Sequence, residues 1–334
     1  MANNKFDSAS LVLIPSGKKV GKVYCQKPHT GAGDFNFSRA STAGYFDEAG
    51  DYQIAAINEP RFEWVNGRCY LLLDPTRQNL FLNTLALATQ DVTLTAATYA
   101  LSFYGTGSVK NENTGVTLVG TGAAQRVILI FTGVAALVTF TVTGTVTLAN
   151  MELGNSATSP IATEGTTVTR AAEILTLSAA TALIGQTEGT IFVEVLYDAS
   201  VENRAPTAGQ PLLAVGTDIN NSTYILLQGG NDGSQSNKVL GITVNGGVTQ
   251  AVITSAAQVS GVIKIAYPYA AGSFKLFANG AKLGEDLSGT VPAGGNIFFG
   301  NFSAAGALFT MRLSSSIVYK IALSDDDSIL ITSI

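Results

Sequence analysis

Residues 78–172 alternate apolar or β-branched side chains with small polar ones in short runs, and glycine interrupts these runs about every eight to twelve residues. The alternation is clearest at 139–143, where threonine occupies one face and apolar residues occupy the other. A period of two is typical of a β-strand with one buried face. Many short strands separated by glycine turns favour antiparallel sandwiches over a parallel sheet with crossover helices. The sequence therefore predicts an all-β protein with a small jelly-roll sandwich at residues 79–170.

The composition of the 334-residue chain is that of a folded protein with two or three domains. It is 46% hydrophobic and only 13% charged, whereas disordered chains combine low hydrophobicity with high charge. The net charge is −5, and the largest basic cluster is Lys18-Lys19 with Lys22 nearby, so we expect no nucleic-acid binding. No apolar run approaches the ~18–20 residues that span a bilayer, so we expect no membrane insertion.

The cysteine and histidine content predicts a chain without a zinc site. Cys25 and Cys69 form no Cys-x-x-Cys motif, and His29 is the single histidine of the sequence. A disulfide between the two cysteines is one option, but we expect two free thiols, as is usual in a protein assembled in a reducing cytoplasm. The apolar run at 11–14 is interpreted as a strand and not as part of a secretory signal.

Three segments differ in character along the chain. Residues 1–78 contain only short candidate strands between turns, and a segment with so little continuous apolar surface rarely folds alone. We expect an irregular anchor segment that wraps onto the following domain or onto a neighbouring subunit. Residues 79–170 form the jelly roll. Residues 171–334 contain longer strands and are predicted to form a second β-sandwich.

Local turn and cap signals separate these strands. Asn66-Gly67, Asn245-Gly246 and Asn279-Gly280 have the residue types that two-residue hairpin turns require. Ser324 precedes three aspartates, and this order predicts the start of a short helix. The hydroxyl accepts from free backbone N–H groups, and acidic side chains favour the positive end of the helix dipole.

Several phrases of the sequence resemble proteins of phage and prophage tails. The phrases ELGNSATSPIAT at 152–163 and VTRAAE at 168–173 are similar to the end of a jelly-roll module that precedes a concanavalin A-like sandwich in that family. In the first segment, FSRAST at 37–42, PRFE at 60–63 and LLLDP at 71–75 resemble phrases of the same family.

The C-terminal segment carries a further resemblance. FKLFANGAKL at 274–283 and RLSSSIVYKIALSDDDSIL at 312–330 resemble the closing part of laminin-G-like or concanavalin A-like sandwiches. The fold implied for residues 171–334 is therefore a concanavalin A-like β-sandwich.

The resemblance to phage proteins implies a non-enzymatic structural component of a tailed-phage virion, a tail or tail-fibre protein assembled in the cytoplasm of the host bacterium. It implies contacts with other virion proteins, a homo-oligomer with a trimer as one option, and a C-terminal sandwich that binds host-surface glycan. The residues of the first segment that we assign to virion attachment are Tyr24, Phe35, Arg39, Arg61 and Trp64. On this interpretation, deletion of residues 1–78 leaves a soluble protein that no longer joins the virion.

Sugar binding would use rim loops with an aromatic ring beside polar side chains. The candidates are Tyr267, Tyr269, Phe302, Asn231 and Asp232. A proline between the two tyrosines predicts an interrupted strand with at least one exposed ring. The alternative is that these rings lie in the core, which is the commoner place for aromatic residues of a sandwich.

A calcium ion at the rim is a second candidate site, because laminin-G-like sandwiches often hold one through Asp, Asn and backbone oxygens. The candidate ligands are Asp218, Asn220 and Asn221, with Asn231 and Asp232 as a second rim cluster. Calcium needs six to eight oxygens from several loops. The alternative is that these residues bind no metal and are ordinary polar turn residues. We expect no other cofactor.

Two further functions stay open: a head fibre or capsid-decoration protein with purely structural contacts, and a polysaccharide depolymerase. A depolymerase would need two facing carboxyl groups about 5–5.5 Å or 6.5–9.5 Å apart. The nearest candidates are Glu194, Asp198 and Glu202, whose outer two members would lie ~26 Å apart in an extended strand. We expect Glu194 to face solvent. His29 is the single histidine, and the chain contains no G-x-S-x-G nucleophile elbow. We therefore expect no enzyme.

Overall fold

Tight hairpins join neighbouring strands in the computed structural model, which describes residues 5–197, 209–228, 237–257, 259–302 and 310–333. Asn66-Gly67 and Asn279-Gly280 have positive φ at both residues, which confirms two of the predicted two-residue hairpin turns. The third turn lies one residue later than predicted, at Gly246-Gly247, because Asn245 pairs with Val248. Among the described residues, no helix is long and apolar enough to cross a membrane.

Residues 5–79 form one helical turn and a series of short strands. Their bounds are α1 Lys5–Ser8, β1 Leu11–Leu13, β2 Lys18–Lys19, β3 Lys22–Val23, β4 Phe35–Ser38, β5 Ala43–Phe46, β6 Tyr52–Ala55, β7 Arg61–Val65, β8 Arg68–Leu73 and β9 Arg77–Asn79. The pair β5–β6 forms a two-stranded sheet, and β7–β8 forms the hairpin that Asn66-Gly67 closes. Cys25 and Cys69 are free thiols, as predicted.

Residues 80–167 contain a small sandwich, all of which the structure describes. After a 3₁₀ turn at Thr84–Ala86, its strands are β10 Gln90–Leu94, β11 Thr98–Gly105, β12 Ser108–Asn111, β13 Thr117–Val119, β14 Gly122–Thr132, β15 Ala136–Thr143 and β16 Val146–Leu153. One sheet has the order β10-β15-β12-β13, and the other has the order β14-β11-β16. Phe81, Leu101, Phe103 and Phe140 lie in the core between them, so the chain alternates between two sheets as in a jelly roll.

The rest of the chain supplies most strands of a large sandwich. Their bounds are β17 Val168–Arg170, β18 Ile174–Leu177, β19 Glu188–Tyr197, β20 Gly209–Asp218, β21 Asn221–Gln228, β22 Lys238–Asn245, β23 Val248–Thr254, β24 Gly261–Ala270, β25 Ser273–Ala278, β26 Ala281–Asp286, β27 Asn296–Phe299 and β28 Met311–Tyr319, followed by the helix α2 Asp325–Thr332. The Ser324 hydroxyl accepts from the backbone N–H of Asp327, so the predicted helix cap is confirmed.

Two antiparallel sheets of the large sandwich enclose one apolar core. Within the described residues, one sheet has eight strands in the order β26-β25-β24-β19-β28-β8-β7, with β1 also paired to β28. The other has nine strands in the order β2-β3-β4-β18-β27-β20-β21-β22-β23. The predicted all-β sandwich fold is confirmed.

The first segment is part of this large sandwich, and the structure differs here from the predicted three-part division. Strands β1 and β8 lie along β28, and β4 pairs with β18. Leu11, Phe35 and Leu71 are buried in the same core as Val193 of β19. The physical reason is that these short apolar runs cannot bury their own surface, so they complete the sheets of a larger partner.

The small sandwich is therefore an insertion in the large one. The chain leaves the large sandwich along β9 and returns to it along β17, and these two strands pair with each other. Asn79 lies opposite Val168 and Arg77 lies opposite Arg170. The chain enters and leaves the small sandwich through this two-stranded stalk.

Helix α2 covers the outer face of the eight-stranded sheet. Ile331 packs with Phe192, Ala266 and Phe277, which form a buried apolar cluster on the side of the sheet away from the main core. The cluster explains why β19 is buried on both faces and lacks the simple alternation of the small sandwich.

Candidate binding cleft

A cleft with two connected lobes lies where the small sandwich meets the β7–β8 hairpin and the eight-stranded sheet. The main lobe has a volume of about 410 Å³, and the second lobe has a volume of about 360 Å³. Five of the described lining residues are common to both lobes, namely Glu63, Val65, Asn66, Tyr104 and Arg312. These volumes lie in the range of small-molecule binding sites.

Strands of both sandwiches hold the walls of the cleft. Tyr104 stands at the end of β11 and Arg126 on β14, in the three-stranded sheet of the small sandwich. Glu63 on β7 and Arg312 on β28 face them from the large sandwich. Side chains on paired strands are positioned more rigidly than side chains on loops, which suits a preformed binding site.

The charged groups of the cleft differ in their partners. Arg312 Nε donates to Glu63 Oε2 at 2.7 Å. Arg126 instead donates to neutral oxygens, with Nη1 at 2.5 Å from the Thr158 carbonyl and Nη2 at 2.7 Å from Ser102 Oγ. Burial raises the pKa of Tyr104, although the positive charge of Arg126 opposes this shift. The phenol of Tyr104 is therefore neutral at physiological pH and can donate a hydrogen bond.

Aromatic side chains concentrate in the second lobe. Phe46, Trp64 and Tyr104 line it. The rings of Phe46 and Tyr104 meet edge to face with centroids 5.3 Å apart, and the rings of Phe46 and Tyr52 do so with centroids 5.7 Å apart. The lobe thus offers apolar ring surface next to the polar groups of Asn66 and Glu63.

A buried cluster of charges, the ionic joint, lies directly under the main lobe. It consists of Arg39, Arg61, Asp74, Arg170 and Glu173, all of them almost fully buried. Arg39 Nη1 lies 2.6 Å from Glu173 Oε1, Arg61 Nη2 lies 2.8 Å from Asp74 Oδ2, and Arg170 Nη1 lies 3.3 Å from the same oxygen. The joint connects the first segment, the stalk strand β17 and the chain that follows it.

Hydroxyl groups connect the ionic joint to the floor of the cleft. Ser159 lines the main lobe, donates to Asp74 Oδ2 and accepts from Arg61 Nη1 at 2.6 Å. Thr310 lines the same lobe and donates to Asp74 Oδ1 at 2.5 Å. A ligand in the main lobe would therefore rest on groups that the buried charges hold in place.

Opposite charges inside the joint keep it ionised. Burial alone would raise the pKa of Asp74, but Arg170 and Arg61 lower it well below its ordinary value. Burial alone would lower the pKa of Arg61, but Glu173 and Asp74 raise it above its ordinary value.

The predicted aromatic platform is wrong for both tyrosines. Tyr267 and Tyr269 are 0% and 1% exposed and lie in the main core. The Tyr269 hydroxyl donates to the Gly185 carbonyl at 3.0 Å. Pro268 does not interrupt β24, because its missing N–H falls in a gap of the β24–β25 ladder between Ala266 and Tyr269.

The remaining sugar candidates are only partly described. Phe302 is half-buried and packs edge to face on Tyr224, with ring centroids 4.7 Å apart, on the outer face of the nine-stranded sheet. Asn231 and Asp232 lie outside the described residues.

The calcium candidates meet in the turn between β20 and β21. Asp218 Oδ1 accepts from the Asn220 backbone N–H at 2.8 Å and from Asn221 Nδ2 at 3.3 Å, and Asn221 Oδ1 accepts from the Gly246 N–H at 2.9 Å. In the described part of the chain, no group of three or more His, Cys, Asp or Glu side chains is placed to hold a metal ion. Calcium binding at this turn stays a prediction.

Three of the five attachment candidates are interior residues, which corrects their assignment. Phe35 lies in the main core, and Arg39 and Arg61 belong to the ionic joint. Tyr24 is exposed beside Lys19, and Trp64 lines the second lobe of the cleft.

Glu194 does not face solvent as expected. It is 5% exposed, forms an ion pair with Arg68 at 2.6 Å and accepts from the Ser315 hydroxyl at 3.1 Å. The neighbouring strands β28 and β8 bring these partners over it. Asp198 and Glu202 lie outside the described residues.

Sequence reasoning missed Glu63, Tyr104, Arg126 and Arg312 as lining residues of a site. One signal was available, because Arg126 is the only charged residue between Glu112 and Glu152. A single arginine in an otherwise uncharged strand region must find a specific environment on folding.

Comparisons with known proteins give structural similarity alone. No protein-family model and no curated protein matches the chain. Solved structures that are similar include the Ruminococcus gnavus IT-sialidase CBM40 bound to alpha2,3 sialyllactose, at 21% identity over 46% of this chain and 87% of that chain, with a TM-score of 0.37. Domain 4 of AbnA, a GH43 extracellular arabinanase from Geobacillus stearothermophilus, matches at 12% identity over 48% of this chain and 73% of that chain, also with a TM-score of 0.37. At TM-scores this low, neither similarity supports an argument about function.

Proposed function

We propose that the protein is a non-enzymatic structural component of a tailed-phage virion, a tail or tail-fibre protein, which adheres to host-surface glycan through the cleft between its sandwiches. The observation that carries the glycan-binding part is the cleft itself. It combines two connected lobes, the rings of Trp64 and Tyr104, and polar side chains held on paired strands. The virion part rests on the resemblance of the sequence phrases to phage tail proteins.

Glycans bind where apolar ring surface and hydrogen-bonding groups occur together, because a sugar presents both C–H faces and hydroxyl groups. In the second lobe, Trp64 and Phe46 supply ring surface, while Asn66 and Glu63 supply polar groups at its border with the main lobe. The two lobes share residues and so provide space for neighbouring sugar units of one chain.

A head fibre or capsid-decoration protein is the second candidate function, and the surface of the small sandwich favours it. Leu137 is 67% exposed and Val119 is 60% exposed. Arg126 is also the only charged residue from 113 to 151. A surface with few charges and exposed apolar side chains suits contacts with other subunits.

Binding of the fluorescently labelled protein to host cells tests the proposal, with cells before and after removal of their surface polysaccharide. Trp64→Ala and Tyr104→Phe alter the cleft, whereas Tyr269→Phe changes a core residue away from it and is the matched control. We expect polysaccharide removal and Trp64→Ala to abolish binding, Tyr104→Phe to weaken it, and Tyr269→Phe to leave it intact. Absence of binding to untreated cells by a protein that is present in virions would favour the purely structural function.

A further inference from the structure

We infer that the cleft selects a saccharide that carries an anionic group, a carboxylate or a phosphate, and that Arg126 binds this group. The inference rests on the proposed glycan binding and names the class of ligand. It follows from the hydrogen bonds of Arg126, from the balance of charges in the cleft and from the shape of the guanidinium group.

Uncharged groups of the described residues hold Arg126 in the cleft. Its two hydrogen bonds go to the Thr158 carbonyl and the Ser102 hydroxyl, both uncharged. Among the described residues, no carboxylate forms an ion pair with it. Its Nε–H is buried and has no hydrogen-bond acceptor in the described protein. A buried donor without an acceptor destabilises the free protein.

Other arginines of the protein show how an interior guanidinium is normally compensated. Arg61 and Arg39 pair with Glu173, and Arg170 pairs with Asp74 even though its own Nε–H lacks an acceptor. Among the described arginines with an unpartnered buried Nε–H, Arg126 is the one that lines the cleft. The two tethers fix the orientation of its planar group, which leaves a rigid donor for a planar carboxylate or a phosphate.

The described lining residues of the cleft carry one more positive than negative charge, in a protein of net charge −5. Among its described lining residues, Arg312 and Glu63 neutralise each other at 2.7 Å, and Arg126 remains as the uncompensated charge. A local positive charge inside a concave, partly desolvated site attracts anions more strongly than the same charge on an open surface. A neutral saccharide would offer the Arg126 guanidinium no negative charge to pair with.

The test uses polysaccharide purified from the host surface in three forms: untreated, with its carboxyl groups chemically reduced to alcohols, and with its phosphodiesters removed by hydrofluoric acid. Binding of the full-length protein is measured by biolayer interferometry at low and high NaCl. Arg126→Gln removes the charge, and Arg126→Lys keeps the charge without the planar fork. Lys110→Gln is the matched control, because it removes a cation from β12 in the opposite sheet of the small sandwich.

We expect one of the two chemical treatments to weaken binding by about 10- to 100-fold, which is the contribution of a charge-assisted hydrogen-bonded pair. Arg126→Gln should weaken binding to untreated polysaccharide to the same degree, Arg126→Lys less, and Lys110→Gln not at all. Salt should weaken binding of the wild type more than that of Arg126→Gln. Which treatment removes binding decides between carboxylate and phosphate.

Undiminished binding after both treatments would overturn the inference and leave the glycan proposal standing. Absence of binding to the untreated polysaccharide would overturn the glycan proposal itself. If Arg126→Gln does not fold, the treated polysaccharides still decide the question with the unaltered protein.

Discussion

Arg61 and Glu173 are 112 residues apart in the sequence and form a two-pronged ion pair, with Arg61 Nε donating to Glu173 Oε1 at 2.8 Å and Nη2 donating to Oε2 at 2.5 Å. Both side chains are fully buried. The pair joins β7 of the first segment to the chain that follows the stalk. It therefore fixes the β7–β8 hairpin, which carries Glu63 and Asn66 into the cleft.

Arg61→Met should destabilise the protein strongly. The substitution leaves Asp74 and Glu173 buried without their shared partner, and removal of one partner from a buried pair typically costs about 3–5 kcal/mol. Urea unfolding at pH 7 measures the change. Lys282→Met is the control, because it breaks the exposed pairs of Lys282 with Glu285 and Asp325, whose loss should cost about 1 kcal/mol or less. Equal effects of the two substitutions would contradict a structural role for the joint.

Acid should weaken the fold through Asp74. Its pKa in the folded protein lies well below the unfolded value of about 3.9, so the unfolded chain binds more protons as the pH falls through that region. The stabilisation from its ionised form is complete above pH ~4–5 and is lost progressively as the pH falls further. Urea unfolding of the wild type and Asp74→Asn between pH 7 and pH 3 measures this contribution.

We expect Asp74→Asn to be less stable than the wild type at pH 7 and to lose less stability on acidification. If the two proteins lost stability in parallel from pH 5 to pH 3, the carboxyl group of Asp74 could not be the group that acid protonates.

Gly241→Ala should destabilise the large sandwich by overpacking. A Cβ at this position in β22 would lie 2.6 Å from two ring carbons of Tyr267, which β24 of the opposite sheet places in the core. Overpacking of a tight core typically costs about 1–3 kcal/mol. Gly165→Ala is the control, because its Cβ would meet nothing within 4 Å and its φ is not positive. Comparison of the urea midpoints measures the effect, and an unchanged midpoint for Gly241→Ala would mean that Tyr267 can move.

Local chemistry made part of this structure predictable from the sequence. The hairpin at Asn66-Gly67 and the helix cap at Ser324 depend on a few adjacent residues, and both occur where the residue types require them. The alternation of the small sandwich likewise reports which face of each strand is buried.

Contacts between distant residues were not predictable in this way. Tyr269 resembles a loop residue beside a proline, but the pairing of β24 with β19 and β25 places it in the core. The cleft exists because the stalk brings β14 next to β28, and no local pattern encodes that approach. The phrases that resemble phage proteins include Arg39, Arg61, Asp74, Arg170 and Glu173, so the resemblance marks the ionic joint and not an exposed attachment surface.

Two deletions should have opposite outcomes because the small sandwich is an insertion. Deletion of residues 1–78 removes β1, β4 and β8 from the two sheets of the large sandwich, along with their core side chains. It also leaves Glu173 without its arginine partners from the first segment. We therefore expect residues 79–334 to lose the cooperative unfolding of the large sandwich, and not to remain a folded soluble protein that merely fails to join the virion.

Replacement of residues 80–167 by Asn-Gly should instead leave the large sandwich folded. Asn79 lies directly opposite Val168 in the stalk, so a two-residue turn can join them as Asn66-Gly67 joins Val65 to Arg68. The shortened protein should be less stable than the full chain, because Arg61 and Arg170 lose the hydroxyl of Ser159. Near-ultraviolet circular dichroism and urea unfolding compare the two deletions. Two results would contradict the nested arrangement. A folded core in residues 79–334 would mean that the first segment is dispensable. An unfolded large sandwich after the replacement would mean that the insertion is required.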